Sequence, residues 1–93
     1  MPNPGKLPEG VTVSDARYSP LSGERLIGPF GSRYFADFFI SEHEVYTEEY
    51  PRGVIEGKDT EGNTEKLHGC DCVEYLCSDG QSRWFIYGWL VSQ

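Results

Sequence analysis

The sequence predicts a mainly β protein, either a small antiparallel sheet or an SH3-like barrel with at most one helix, and an α+β fold is the alternative. Two runs rich in β-branched and aromatic residues flank Asp79-Gly80, a pattern typical of a hairpin. A second, more polar pair of runs flanks residues 59–63. Six Tyr, five Phe and two Trp in 93 residues can form a core without disulfides, since each buried ring removes roughly 150–250 Å² from water.

Residues 1–10 contain three prolines and two glycines, which indicates a flexible lead-in ahead of a single β-rich domain over residues 11–93. This stretch lacks the apolar run of a signal peptide. Residues 11–13, VTV, predict a short first strand. Residues 19–32, rich in Ser, Gly and Pro, predict a connection made of turns.

Residues 33–50 fit both a strand and a helix. A strand places Tyr34, Ala36, Phe38 and Ile40 on one face. A helix instead gathers a mixed aromatic and acidic set on one side: Phe35, Phe38, Phe39, Glu42 and Tyr46. We favour the strand because of its aromatic content and because Glu44 and Glu48 would repel each other in a helix.

A two-residue type I′ loop at Asp79-Gly80 would pair Tyr75 with Trp84 and Val73 with Ile86 on an apolar face. The opposite face of this last hairpin would be mixed: Cys72, Glu74, Leu76, Arg83, Phe85 and Tyr87. A three-residue loop through Ser78 would shift the pairing by one residue, so we favour the two-residue loop.

The preceding hairpin turns within residues 59–63. A loop at Glu61-Gly62 would place Lys58 opposite Glu65, a favourable cross-strand ion pair.

The net charge of −7 is concentrated in the middle of the chain. Residues 37–65 contain nine acids against only Arg52 and Lys58. This distribution opposes direct binding to nucleic acid or anionic lipid, which requires clustered Lys and Arg. We expect a basic protein as the partner.

The stretch LHGCDCVEYLC, residues 67–77, raises the question of a metal site. Zinc takes four ligands, and a strand would place His68, Cys70 and Cys72 on one face with Cys77 on the other. A zinc site on these three residues needs an outside ligand such as His43, and a zinc-stabilised β module is therefore the alternative hypothesis. We favour buried, metal-free thiols, no cofactor, and, from the odd number of cysteines, a reducing cytoplasmic location.

The sequence contains neither a phosphate-binding glycine loop nor a G-x-S-x-G motif. Together with the short chain, this predicts that the protein is not an enzyme.

The predicted function is binding to, and inhibition of, a basic nucleic-acid-binding protein, whose phosphate sites carboxylates would occupy. Phage DNA mimics and anti-CRISPR inhibitors are similar in size and charge, although no motif is shared. The predicted partner-binding residues combine carboxylates with amphipathic tyrosines: Glu42, Glu44, Tyr46, Glu48, Glu49, Tyr50, Asp59 and Glu61. A further hypothesis is a dimerising scaffold subunit that exposes Phe85, Tyr87 and Trp89 on its last hairpin.

Overall fold

A computed structural model describes residues 5–15, 18 and 23–91. These residues form four strands and one helix, which are β1 (Glu24–Phe30), α1 (Arg33–His43), β2 (Val54–Lys58), β3 (Thr64–Leu76) and β4 (Ser82–Leu90). The strands make one antiparallel sheet in the order β1-β4-β3-β2. A bridge between Ile27 and Asp59 joins its two edges at one point. The predicted mainly β class with at most one helix is confirmed.

Both faces of the sheet are covered. Helix α1 packs on one face, around a cluster of buried residues: Ile27, Phe30, Ala36, Ile55, Leu67 and Ile86. On the other face, Leu26, Cys77 and Phe85 pack against the N-terminal segment, which contributes Leu7 and Val11. Because both faces of the sheet are covered, its strands carry apolar residues on both sides.

The N-terminal segment begins to pack before the predicted domain start. Lys6 bridges Glu61, and Leu7 contacts the core, so the predicted lead-in is packed from residue 5 onward; residues 1–4 lie outside the described residues. The strand predicted at residues 11–13 is reduced to a single bridge between Val13 and Cys77.

The prediction that residues 19–32 form only a connection was wrong, because residues 24–30 form β1. The strand lies at the edge of the sheet, where a proline is tolerated since its missing N–H needs no partner. Its pairing with β4 shifts between Ile27 and Phe30, around the cis Gly28-Pro29 bond. The stabilisation gained by burying Leu26 and Ile27 on opposite faces of the sheet outweighs the preference of the neighbouring Gly, Pro and Ser residues for turns.

The strand interpretation of residues 33–50 was also wrong, because residues 33–43 are helical. The Ser32 side chain caps the helix by accepting a hydrogen bond from the Phe35 N–H at 3.3 Å. Ala36 is fully buried against the sheet. The expected repulsion between Glu44 and Glu48 does not arise, since the helix ends at His43.

Both hairpins have three-residue loops, whereas a two-residue loop was predicted for the β3–β4 hairpin. In the β3–β4 hairpin the Cys77 N–H donates to the Gln81 carbonyl at 2.9 Å. A type I′ turn would require a positive φ at Asp79, yet every positive φ among the described residues belongs to a glycine. Within this loop only Gly80 has a positive φ, of 84°. This pattern is typical of a type I turn followed by a left-handed residue.

The longer loop shifts the register by one residue. Relative to β4, each side chain of β3 therefore lies on the face opposite to the predicted one. Val73 pairs with Phe85 and Tyr75 with Arg83. The predicted pairs Tyr75–Trp84 and Val73–Ile86 were therefore wrong. Phe85 is fully buried, in contrast to the exposed position that the scaffold hypothesis required, whereas Trp89 remains 37% exposed.

The β2–β3 hairpin repeats this pattern. The Asp59 N–H donates to the Asn63 carbonyl at 2.8 Å, and Gly62 has a φ of 88°. The turn lies within residues 59–63 as predicted, but Lys58 lies opposite Thr64, so the Lys58–Glu65 pair that a Glu61-Gly62 loop would give does not form.

Candidate functional site: an acidic loop and the outer face of the helix

The acidic loop, residues 46–53, connects α1 to β2 and is closed at its base by two hydrogen bonds. The N–H groups of Val45 and Val54 each donate to the other residue's carbonyl, at 2.9 and 2.8 Å. Within the loop, the Tyr50 N–H donates to the Thr47 Oγ1 at 2.9 Å. Glu48 lies inside this short turn and is exposed, as is Glu49. The backbone thus holds both carboxylates towards solvent.

The helix end extends this acidic surface. Glu42 is exposed in the last turn of α1, and Glu44 is the C-cap residue. The Tyr46 hydroxyl donates a hydrogen bond to the Glu44 carboxylate, which raises the pKa of Tyr46 because it stabilises the protonated phenol. Tyr46 itself is 66% exposed.

Two open clefts flank the acidic loop and share Glu49 and Tyr50. The first, about 480 Å³, contains Trp89 and His68, and the His68 ring stacks on Tyr50 with the centroids 4.7 Å apart. The second, about 570 Å³, combines valines with charged side chains. Its lining includes Val45, Val54, Val91, Glu48, Glu56 and Lys66.

Six of the eight predicted partner-binding residues therefore lie together, while the other two do not. Asp59 and Glu61 lie at the opposite end of β2 from Val54. Asp59 is only 7% exposed, and its carboxylate accepts the N–H groups of Glu61 and Asn63, both at 2.9 Å. Asp59 shapes the turn, and its carboxylate is not displayed to solvent. Glu61 is exposed but distant from the acidic loop.

The sequence analysis missed the outer face of α1, the aromatic face, formed by Tyr34, Phe35 and Phe38. Their exposed fractions are 70%, 56% and 53%. Tyr34 contacts both phenylalanines, with ring centroids 5.6 and 6.4 Å apart. The helical interpretation of residues 33–50 already implied an exposed aromatic face, because a short helix that packs on one sheet cannot bury four aromatic residues.

A bulge in β3 separates the candidate metal ligands. Gly69 adopts a φ of 64°, and the pairing with β4 shifts between His68 and Asp71. Cys70 and Cys72 consequently pack on the α1 side, whereas His68 pairs with Trp89 and stacks on Tyr50. The prediction that His68 shares a face with these cysteines was wrong.

The thiols lie in surroundings that disfavour metal binding by thiolate. Burial raises the pKa of Cys70 to about 12, and burial together with a hydrogen bond to Asp37 raises the pKa of Cys72 to about 12. His43, the suggested fourth ligand, stacks on Phe39 with the centroids 4.2 Å apart. Across residues 5–15, 18 and 23–91, no three His, Cys, Asp or Glu side chains are grouped to hold a metal ion.

The fold and the site define a small antiparallel β domain that displays an acidic loop beside an aromatic helix face. No protein-family model, curated protein or solved structure matches the chain. In the part of the chain that the structure describes, no helix has the length and apolar character needed to cross a membrane.

Proposed function

We propose that this protein is a non-enzymatic module that binds a basic protein through the acidic loop and the adjoining end of α1. The observation that carries the proposal is the gathering of carboxylates in one short stretch: the exposed Glu42, Glu48 and Glu49, with the half-buried Glu44 between them. Hydrogen bonds within the loop already hold its backbone. A preformed surface loses less conformational entropy on binding than a disordered one.

The distribution of charge supports a basic partner. Residues 37–65 contain nine acids, and the acidic loop contains a single base, Arg52. A concentrated negative field attracts Lys and Arg over a distance of about 10 Å at moderate salt. It mainly raises the association rate, and its effect decreases as salt is added.

The finer proposal concerns the class of target. A nucleic-acid-binding protein presents Lys and Arg at the positions where it holds phosphates. Carboxylates of the acidic loop would occupy these positions and inhibit the partner, as DNA mimics and anti-CRISPR proteins do. Its support is the charge, the small size and the exposed position of Glu48 and Glu49.

The direct experiment measures binding of a fluorescent oligolysine peptide by anisotropy. We expect affinity to fall steeply between about 50 and 500 mM salt, and to fall at low salt in the Glu48→Gln/Glu49→Gln variant. The matched control is Glu61→Gln/Glu74→Gln, which changes the net charge equally at exposed positions elsewhere. Equal losses in the two variants would contradict a localised site.

Inhibition is tested separately, by DNA cleavage with an RNA-guided nuclease in the presence of the protein. We expect the unmodified protein to slow cleavage and Glu48→Gln/Glu49→Gln to slow it less. Unchanged cleavage would reject the anti-CRISPR proposal for that nuclease and leave the binding proposal to the peptide experiment.

A further inference from the structure

The aromatic face of α1 is unusual for a small protein. Seven large hydrophobic residues among the described residues are exposed, and five of them lie between positions 34 and 46. They are Tyr34, Phe35, Phe38, Val45 and Tyr46. The exposed fractions of the three rings on the aromatic face correspond to roughly 350 Å², which is within the size range of functional patches on protein surfaces.

Contacts on the inner side of α1 keep these rings outside. Ala36 is fully buried, and the Phe39 ring packs on Phe30 with the centroids 5.3 Å apart. The Cys72 thiol is 2.8 Å from Asp37 Oδ1. A rotation of the helix that buried Phe38 would break all three contacts, so the aromatic face is a permanent part of the surface.

Charge decides between the occupants of this face. Glu42 is exposed on the same helix as the rings, whereas Asp37 is paired with the exposed Arg33 at 3.6 Å, so the helix surface carries a net negative charge. A second copy of the chain would bring the same carboxylates and another net charge of −7, and an anionic membrane would also be repelled. A partner that carries Lys or Arg is attracted.

The area of the aromatic face indicates that a partner would also contact neighbouring residues. A standard interface buries about 800 Å² on each partner, so the aromatic face alone supplies less than half. Val45 and Tyr46, which follow the end of the helix, are also exposed. A complex of standard size would therefore extend from the aromatic face to the residues that follow the helix, where Glu48 and Glu49 are exposed.

We propose that Tyr34, Phe35 and Phe38 insert into an apolar groove on the basic partner, bordered by its Lys and Arg side chains. This inference rests on the proposed function and adds the residues that anchor the complex. The spacing i, i+1 and i+4 is suited to a helix lying in a groove. The rings govern dissociation, because burying them excludes water, and the carboxylates govern association.

A random peptide library displayed on phage, selected on the immobilised protein at physiological salt, tests the inference. We expect enriched peptides to combine apolar residues with Lys or Arg. A synthetic enriched peptide should bind the Tyr34→Ser/Phe38→Ser variant at least about tenfold more weakly. The control is Leu76→Ser, which removes another exposed hydrophobic residue, 47% exposed, from the end of β3. Circular dichroism and thermal unfolding should show both variants folded, because these side chains are exposed.

Each other outcome overturns the inference. These outcomes are the absence of enriched peptides, enriched peptides without basic residues, and equal binding to the Tyr34→Ser/Phe38→Ser variant. A mass that rises with concentration and is lost in that variant would show a second copy as the occupant. Peptide binding that depends on Glu48 and Glu49 but not on the rings rejects this inference and keeps the proposed function. Peptide binding that depends on the rings but not on Glu48 and Glu49 rejects the proposed function.

Discussion

The thiol of Cys72 on β3 donates a hydrogen bond to the Asp37 carboxylate on α1, with Sγ and Oδ1 2.8 Å apart. The second oxygen of this carboxylate faces the Arg33 side chain at 3.6 Å. Arg33 in turn lies 5.9 Å from the centre of the Trp84 ring on β4. These contacts connect the helix to the two central strands and help to set which residues of α1 face solvent.

The first prediction concerns the reactivity of Cys72. Burial and the Asp37 hydrogen bond raise its pKa to about 12, so very little thiolate exists near pH 8 and alkylation should be slow. Asp37→Asn removes the negative charge, lowers the pKa and should increase the alkylation rate. Iodoacetamide labelling followed by peptide mass spectrometry measures the rate at each cysteine. The control is Glu42→Gln on the same helix; equal rates in both variants would contradict the role of Asp37.

The second prediction concerns stability at high pH. The pKa values of Cys70 and Cys72 rise from the ordinary 9.0 to about 12 on folding. Above pH 9 the unfolded chain releases these protons while the folded chain retains them, so the free energy of unfolding falls as pH rises from 9 to about 12. Tyr87, whose hydroxyl donates to Glu24, adds the same trend above its ordinary pKa of 10.0.

Urea unfolding at several pH values measures this dependence. The Cys70→Ser/Cys72→Ser variant retains the tyrosines but lacks both thiols, so its stability should change less between pH 9 and 10. A dependence equal to that of the unmodified protein in this window would show that the thiols ionise normally in the folded state.

The third prediction concerns the turn at Asp59. Its buried carboxylate accepts two backbone N–H groups at 2.9 Å, so Asp59→Ala should lower the free energy of unfolding by about 1–3 kcal/mol. Glu61→Ala is the control, since the Glu61 side chain is exposed in the same turn and should have little effect. Chemical denaturation compares the two variants, and similar losses would argue against a structural role for Asp59.

The fourth prediction concerns the bulge of β3. A Cβ atom added to Gly88 would lie 2.8 Å from the Cys70 Sγ and 2.9 Å from the Leu67 Cβ. Gly88→Ala should therefore destabilise the protein by about 1–3 kcal/mol through overpacking. Gly31→Ala serves as the control, because the nearest atom to its added Cβ lies 3.6 Å away. Thermal unfolding that ranks Gly31→Ala as the more damaging change would contradict the close packing at Gly88.

Some features could be predicted from local sequence because their physical causes are local. The Asp79-Gly80 dipeptide predicted the position of the last hairpin, and the acidic composition of residues 37–65 predicted where the carboxylates are concentrated. Cys77 was correctly placed on the face opposite Cys70 and Cys72. Hairpin register could not be predicted this way, because two- and three-residue loops both accept Asp-Gly, and the register that forms is the one that buries Phe85.

Tertiary packing decided the structure of the candidate site. Residues 33–43 carry patterns for both a strand and a helix, and the helix forms because Ala36 and Phe39 pack on a sheet made by distant parts of the chain. That choice turns Phe38 outward. Likewise, the bulge at Gly69 moves His68 away from the cysteines. The sequence pattern could not predict this change, because it assumes that side chains alternate regularly along the strand. The sequence by itself determined a mainly β chain with a concentrated acidic segment, since composition and turn residues act locally. Only the tertiary structure decided which aromatic residues remain exposed, because burial depends on contacts between residues far apart in the chain.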